Sequence, residues 1–556
     1  MGFTKHCGPL SFAFIKTYLI ILIPLLLLPI FFLDESREKE CKCLYVILLM
    51  AIFWVLQILP IVVTAFFPLV LFPLFEIQST SDVSSNYLTS SNSLFMGGLI
   101  LAIAVEDSGL DRRIAISFLN ITGSSPKGLL FGLMTITSFL SLLVSNTATT
   151  AMMIPILNGI FETANLVKDE TGREKYKNGL LLAIAYASNI GGTGFLTGSP
   201  PNLVAPGALE QKFGPDSSIS FIKWAMFAIP LMIVNLIFGG IWLYFFFGFS
   251  KYSQEYSTED KLNGIVVEHG NDTLPENKIN PNDIIRKKKK ELGRISTREV
   301  LIASLFGFTV LLWFLKTPKM FPGWSDLFPE VPISSATPVF LTVILMFIIP
   351  REFHFWPFVS WDTPPKSSES LITWKVIEKK LPWGIMFLLG GGYAMAGGTK
   401  DSGLSKWLVE NLKTSMMKQE KWVINLIFCL IMTFGTELMS NAAAANIVLP
   451  ILIDLSIGIC SSPLFFVVST ALCSSYAFMV PIATGPNALV FQASTMSQFT
   501  MIKAGTIMNL VCIVTTTAAI NLYADQIYEI TPPPQWVIDY YKTTNNTECL
   551  TSLNIE

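Results

Sequence analysis

The stretch VSNTATTAMMIPI (Val144–Ile156) sets a hydroxyl, an amide and another hydroxyl side by side, at Ser145, Asn146 and Thr147. No Lys or Arg stands between Lys127 and Lys168, so these groups sit in a long apolar segment. MSNAAAANIVLPI (Met439–Ile451) repeats the arrangement. Polar groups at membrane depth must be buried in protein or line a cavity. A lone Ser-Asn pair in an apolar helix serves equally well as a helix–helix hydrogen bond. The reading therefore turns on what surrounds the two copies.

The surroundings are those of a polytopic membrane protein. Of 556 residues, 51% are hydrophobic and 14% charged, with a mean hydropathy of +0.54, whereas soluble chains average about 25% charged residues. Long unbroken apolar runs fit helices and not the short alternating segments of a membrane β-barrel. A formal charge of −2 argues against a nucleic-acid partner. Segment 11–33 is too long for a signal-peptide core and reads as the first span. The three histidines, His6, His269 and His354, fall outside the apolar segments, which argues against a histidine proton relay or metal site. The eight cysteines show no metal-ligand spacing and read as plain thiols; Cys41 and Cys43 could pair with Cys549 only if both were extracellular.

Spans are expected near 11–33, 44–58, 60–75, 94–105, 178–200, 219–248, 299–316, 336–350, 382–397, 464–490 and 503–523. Lys and Arg set the orientation. RKKKK (Arg286–Lys290) marks the loop 249–298 as cytoplasmic, a solvated tether more readily than an acidic-lipid site. Arg112, Arg113, Lys127, Lys168 and Arg173 also read inside, and 76–93, which lacks Lys and Arg, reads outside. These assignments agree only if 128–157 enters from the cytoplasm and returns, as a re-entrant hairpin. With 422–455 as a second hairpin, the expected fold is all-α, with about 11 transmembrane helices, the N-terminus inside and the C-terminus outside. Lys400, Lys406, Lys413 and Lys418 then lie outside, against the bias. Of three glycosylation sequons, at Asn120, Asn271 and Asn545, only Asn545 is expected in the lumen.

The second half repeats the first. FMGGLILAIAVEDSGLDRR (Phe95–Arg113) resembles FLLGGGYAMAGGTKDSGLSK (Phe387–Lys406). Ser141 matches Thr436, the Ser-Asn motifs match each other, and GSPPN (Gly198–Asn202) resembles ATGPN (Ala483–Asn487), all in order and at near-constant offset. An odd number of expected spans separates the halves, so they face opposite ways. Inverted repeats with broken helices are the architecture of secondary transporters, with the site at the repeat interface. The chain thus divides into helices at 1–93, a first repeat at 94–248, the loop 249–298, helices and a connector at 299–381, a second repeat at 382–523 and an extracellular tail at 524–556.

Unwound turns at the two Pro-Asn motifs expose carbonyls suited to Na⁺, and a hairpin tip exposes a helix N-terminus suited to an anion. Hydroxyls and amides serve both. Neither hairpin holds Lys, Arg or His, so a dianion there needs compensating cations, and the residues point to anion binding coupled to cation binding. Glu437, a carboxylate inside the second hairpin, is a functional candidate or a structural hydrogen-bond partner. Glu106, Asp107 and Asp401, at span edges, read as capping or orienting groups. An intramembrane enzyme would need a nucleophile–base pair or metal cluster, and two hairpins from opposite sides suit alternating access better than a channel.

At these motifs, and at MAIFWVLQILP (Met50–Pro60) and WGIMFLLGGGYAMA (Trp383–Ala396), the sequence resembles the divalent anion/sodium symporter family, within it the animal di- and tricarboxylate transporters of the I'm-Not-Dead-Yet and citrate type. The resemblance runs from about Phe12 to Ile530. It implies a plasma-membrane homodimer, each protomer with a scaffold domain and a transport domain moving as an elevator, that carries succinate, citrate and related anions with Na⁺. The nearest alternatives are a sodium–sulfate symporter and a cation-independent carboxylate exchanger on the same scaffold. It further implies one Na⁺ at Ser141, Ser145, Asn146 and the Gly198 carbonyl, and a second at Thr436, Asn441 and the Ala483 carbonyl. Substrate carboxylates would meet Ser145, Asn146, Thr147, Ser440, Asn441 and Thr484. Two positions depart from the family pattern: Ala442 replaces a threonine, and Gly485 stands where a proline is usual.

Overall fold

The computed structural model describes residues 14–122, 125–163, 170–250, 281–316, 322–328, 331, 333–352, 368–416 and 419–553. His6, His269, His354 and Asn271 lie outside them. Among the described residues the fold is helical, with one isolated bridge, Pro350 to Ser370.

The sequence repeat becomes seven helices matched one to one. Ser90–Ser108, Leu110–Thr122, Pro126–Leu143, Asn146–Thr163, Glu170–Gly191, Pro200–Phe213 and Phe221–Phe246 form the first set. Trp383–Ser402, Leu404–Met416, Lys421–Gly435, Asn441–Gly458, Pro463–Cys473, Gly485–Ala493 and Gln498–Leu522 form the second. The repeated Asp-Ser-Gly-Leu has a local reason. Gly109 and Gly403 end their helices in the left-handed conformation, with φ of 76° and 85°, which a residue without a β-carbon adopts at no steric cost.

Each Ser-Asn motif stands where two helices meet. Pro126–Leu143 starts on the Ser125 cap with Pro126 in its first turn and stops at Val144, whose backbone is extended. Asn146–Thr163 follows directly. In the second repeat, residues 436–440 separate Lys421–Gly435 from Asn441–Gly458. Both Pro-Asn motifs open the second half of a broken helix, Pro200–Phe213 and Gly485–Ala493.

The packing between repeats is exchanged. Asn146–Thr163 packs on Gly485–Ala493, and Asn441–Gly458 packs on Pro200–Phe213. Such mutual exchange is what an approximate two-fold produces. The first halves of the broken helices lie innermost. Leu180 through Ala187 are fully buried, and every residue of Pro463–Cys473 is buried, the pattern of a helix apolar on every face. Outer helices expose large apolar side chains instead, among them Ile21, Ile237, Leu311, Ile344 and Val514. In a membrane these face lipid.

Among the described residues, seven helices are long and apolar enough to cross a membrane, against the eleven spans expected. The others are short, as Ala336–Ile348 with 13 residues, interrupted, as Pro463–Cys473 and Gly485–Ala493, or carry charges at one end, as Glu38–Leu56. Pro126–Leu143 and Asn441–Gly458, read from sequence as hairpin arms, are among the seven. The plain-thiol reading is corrected at two positions. Cys549 is disulfide-bonded to Cys460, while Cys41 and Cys43 are buried free thiols. Cys41 and Cys43 sit within Glu38–Leu56, packed in the core and not on a surface that the tail can reach.

Candidate binding site at the repeat interface

A cavity of about 460 Å³ lies where the two repeats meet. Ser145, Asn146, Thr147, Gly198, Ser440, Asn441, Ala483 and Thr484 all line it. Ser141 and Thr436 stand directly behind, fully buried. The structure thus brings together every residue singled out for anion or cation contact. Asn545 lies elsewhere, exposed on the C-terminal tail.

Behind the cavity the same oxygen cluster is built twice. Ser141 Oγ is 2.7 Å from Asn146 Oδ1 and 2.8 Å from the Ser188 carbonyl oxygen. Thr436 Oγ1 is 2.6 Å from Asn441 Oδ1 and 2.9 Å from the Ser474 carbonyl oxygen. Each cluster holds three oxygens and one hydroxyl hydrogen, and that hydrogen can serve one acceptor well. An excess of acceptor oxygens is the donor set that a hard cation prefers.

The broken-helix loops are held in matching ways. Asn202 Nδ2 donates to the carbonyls of Gly192 at 2.9 Å and Phe195 at 2.7 Å. Asn487 Nδ2 donates to those of Ala477 at 2.9 Å and Val480 at 3.1 Å. The repeats also cross-brace each other. Asn189 Nδ2 donates to Thr484 Oγ1 at 3.2 Å, and the hydroxyls of Ser475 and Ser199 lie 3.3 Å apart. Asn189 Oδ1 and Asn202 Oδ1 are buried with no donor among the described residues, two further acceptors beside the cavity. Glycine at 192 and 485 permits the close approach. A β-carbon on Gly192 would collide with the Asn146 side-chain amide, and one on Gly485 with the Thr147 hydroxyl.

Glu437 does not face the cavity. It accepts from the backbone N–H groups of Phe478 (2.8 Å), Met479 (2.9 Å) and Val480 (3.0 Å), and from Asn509 Nδ2 (2.8 Å). Four donors occupy both carboxylate oxygens, which clasp the second broken-helix loop. In the first repeat the matching position is Leu142, packed near Gly194. Sequence reasoning missed Ser188, Asn189, Ser474 and Ser475 as parts of the site. A signal was present: SNIGG (Ser188–Gly192) is another Ser-Asn pair within an apolar segment, directly before the glycines of the first loop.

Four helices point their N-termini into the cavity. Asn146 and Thr147, Pro200 and Pro201, Asn441 and Ala442, and Gly485 and Pro486 begin their helices and line it. Each N-terminus carries roughly half a positive charge. Among the described residues, the lining contains no Lys, Arg, His, Asp or Glu, and no cluster of three or more His, Cys, Asp or Glu exists. One apolar stretch of the wall, Phe95, Leu99, Ile385 and Leu388, comes from Ser90–Ser108 and Trp383–Ser402.

Comparison with known proteins follows the same lines. The sodium:sulfate symporter transmembrane region matches residues 12–529. Rat Na(+)/dicarboxylate cotransporter 3 is 33% identical, covering 94% of each chain. Human solute carrier family 13 member 2 is 34% identical over 97% of each. Rat Na(+)/citrate cotransporter is 33% identical over 94% of this chain and 97% of its own. A crystal structure of the Alcanivorax borkumensis YdaH transporter aligns with a TM-score of 0.49 at 14% identity, over 80% of this chain and 87% of that one. With a match that spans nearly the whole sequence, the chain belongs to the sodium:sulfate symporter transmembrane family, whose members are membrane transporters and not enzymes.

Proposed function

We propose that this protein is a secondary transporter that moves di- and tricarboxylates such as succinate and citrate together with Na⁺. The observation that carries the proposal is the meeting of four helix N-termini and two oxygen clusters in one cavity that has no charged side chain. Four N-termini together offer roughly two positive charges, which suits a dianion. The cations make up what a trianion or the desolvation of a dianion further requires. The names of the relatives, Na(+)/dicarboxylate and Na(+)/citrate cotransporters, support the same pairing.

The chemistry divides between the two kinds of turn. Pro200, Pro201 and Pro486 have no N–H to offer, so the broken-helix loops present mainly carbonyls. Those loops, with the oxygen clusters behind them, hold Na⁺. One ion sits at Ser141, Ser145, Asn146 and the Gly198 carbonyl. The other sits at Thr436, Asn441 and the Ala483 carbonyl. Asn146–Thr163 and Asn441–Gly458 begin without proline and present N–H groups and hydroxyls. Substrate carboxylates bind there, to Ser145, Asn146, Thr147, Ser440 and Asn441, and also to Thr484, which caps Gly485–Ala493.

In the membrane the chain has eleven spans and two re-entrant hairpins, with the N-terminus cytoplasmic and the C-terminus extracellular. The hairpins and broken helices form a transport domain. The helices at 1–93 and 299–381 form a scaffold through which two protomers pair in the plasma membrane. The apolar stretch at Phe95, Leu99, Ile385 and Leu388 gives the cavity one surface without polar side chains, which supports an elevator motion. Uptake of labelled succinate, citrate and sulfate, with Na⁺ and with choline in its place, tests the proposal at equal surface abundance. Sodium-stimulated carboxylate uptake is expected. Sulfate uptake alone, or carboxylate uptake indifferent to sodium, would replace it.

A further inference from the structure

We propose that the basic helix Pro281–Glu291 is a binding site for the headgroups of anionic phospholipids. The proposal rests on the chain lying in a membrane and needs no particular substrate.

The helix is fixed in place by its own residues. It packs on Leu110–Thr122 and on Asn146–Thr163. Ile285 is 2% exposed, and Leu292 packs against the core. Arg113 gathers the end of the helix: its guanidinium donates to the carbonyls of Leu292 (2.9 Å), Gly293 (2.9 Å) and Arg294 (3.2 Å). The same guanidinium donates to Glu299 at 2.8 Å. Glu299 in turn forms the capping box of Thr297–Phe314 with Ser296.

That anchoring changes the reading of the charges. Lysines in a last helical turn commonly complement the C-terminal carbonyls. Here Arg113 already occupies the carbonyls that follow the helix. Arg286, Lys287, Lys289, Lys290 and Arg294 are exposed, on and just after a helix whose acidic residues are Asp283 and Glu291. Lys288, at the i+3 position from Ile285, turns the other way and fills the space over Gly159.

Position selects the partner. Gly293 takes a left-handed turn, φ 63°, and residues 292–296 alone separate the helix from Thr297–Phe314. That next helix is apolar enough to span, and exposes Val300, Leu311 and Phe314. Ile295 is 54% exposed between the basic residues and the span. The cations are therefore held beside the point where a span enters hydrocarbon, the level of lipid phosphates. A fixed cluster of cations at that level attracts anionic headgroups, most strongly in a cytoplasmic leaflet. Lys288 carries the lipid-bearing helix onto Asn146–Thr163, the helix that opens with the Ser-Asn motif.

Lipid retention tests the site directly. The purified full chain is equilibrated in detergent with equal amounts of phosphatidylserine and phosphatidylcholine, and the lipid retained is counted by native mass spectrometry. Wild type should retain phosphatidylserine in preference. R286Q/K287Q/K289Q/K290Q should lose that preference, with roughly fivefold weaker retention for each charge removed, and unchanged retention of phosphatidylcholine. K287Q/K289Q, a milder change to exposed side chains, serves if the fourfold variant is not monodisperse. Equal retention of both lipids by wild type, or an undiminished preference in the variants, overturns the site. So does a helix that takes inositol hexakisphosphate while ignoring phosphatidylserine, which would mark a receptor for a soluble anion. No transport is read, so a failed uptake assay leaves the result intact.

Discussion

Thr436 Oγ1 stands 2.6 Å from Asn441 Oδ1, and the Ser141–Asn146 pair reproduces that contact at 2.7 Å in the other repeat. Each asparagine thus joins an oxygen cluster behind the cavity to a helix N-terminus within it. Asn146→Ala and Asn441→Ala should each lower sodium-dependent uptake at least tenfold, since one truncation strips an oxygen from the cluster and an amide from the cavity. Surface abundance should hold, because Ser141 and Thr436 keep the Ser188 and Ser474 carbonyls as partners. Normal uptake by either variant at equal abundance would sink the site assignment.

Thr147 and Gly485 fit each other by size. The Thr147 side chain occupies the space that a β-carbon on Gly485 would take. In the repeat alignment the corresponding residues are Ala442 and Pro200, so the larger and the smaller residue are exchanged between the halves. Gly485→Ala should raise the half-saturation concentration for substrate several-fold, and Thr147→Ala in the same chain should restore much of the loss. If Gly485→Ala alone leaves uptake kinetics untouched, the cavity is looser than the packing indicates.

Glu437 is assigned to the fold and not to the ion. Four donors converge on its carboxylate, and Gln in its place must turn an NH₂ toward N–H groups. Hydrogen bonds to a buried charged group are worth about 1.5–3 kcal/mol each, net of solvation. Glu437→Gln should therefore lower the melting temperature in detergent markedly while leaving the sodium half-saturation of surviving protein near wild type. The reverse result, a shifted sodium dependence at unchanged stability, would make Glu437 a cation ligand.

How much of this was legible in the sequence depended on the scale of the feature. The repeat could be read because Ser-Asn, Pro-Asn and Asp-Ser-Gly-Leu each serve a backbone need: a helix start, an unwound turn and a left-handed cap. Those needs recur wherever the fold recurs. Asn189 was marked by SNIGG, but its role was hidden because its work is done at long range, bonding to Thr484 in the other repeat. Nothing in the neighbourhood of residue 189 announces that partner. The Cys460–Cys549 bond was hidden for a related reason. It joins the end of Asn441–Gly458 to a tail helix that the span pattern leaves unplaced. Glu437 was visible as a buried charge, but its role depended on three N–H groups of a loop forty residues away, which periodicity does not locate.

Asp111 offers a test outside the spans. It is 6% exposed, and burial pushes its carboxyl up to about 6, against a backbone N–H at Arg112 that favours the anion. Glu106 adds to the rise and Lys380 opposes it. A raised carboxyl favours the protonated folded protein, so its stabilisation is complete below the ordinary value of 3.8 and is lost as pH climbs through about 6. Asp111→Asn keeps a neutral group at all pH. It should raise thermal stability at neutral pH, by about 2–3 kcal/mol at most, and the gain should close as pH falls toward 4. A gain that persists unchanged in acid would show that ionisation of Asp111 is not its source.

The tail decides the orientation. Asn545 is exposed in a left-handed turn, φ 51°, between Gln535–Thr543 and Thr547–Ser552. Cys549, on the second of those helices, is bonded to Cys460 at the end of the helix that begins with Asn441. Glycan transfer to an Asn-X-Thr sequon is a lumenal event, and a structural disulfide persists on the oxidising side. Two unrelated chemistries thus ask the same thing of one short segment. Asn545 should carry the glycan: Asn545→Gln should collapse the glycosidase-sensitive band to a single mobility. Cys460 and Cys549 should resist a thiol-reactive probe added from outside until the protein is reduced. Asn120 should stay bare, since its helix, Leu110–Thr122, packs against the basic helix that the Lys/Arg distribution places inside. Glycan on Asn120 or Asn271, with Asn545 bare, would turn the protein over in the membrane. The cations of Arg286–Lys290 would then face outward, and both hairpins would have to be reassigned to the opposite sides.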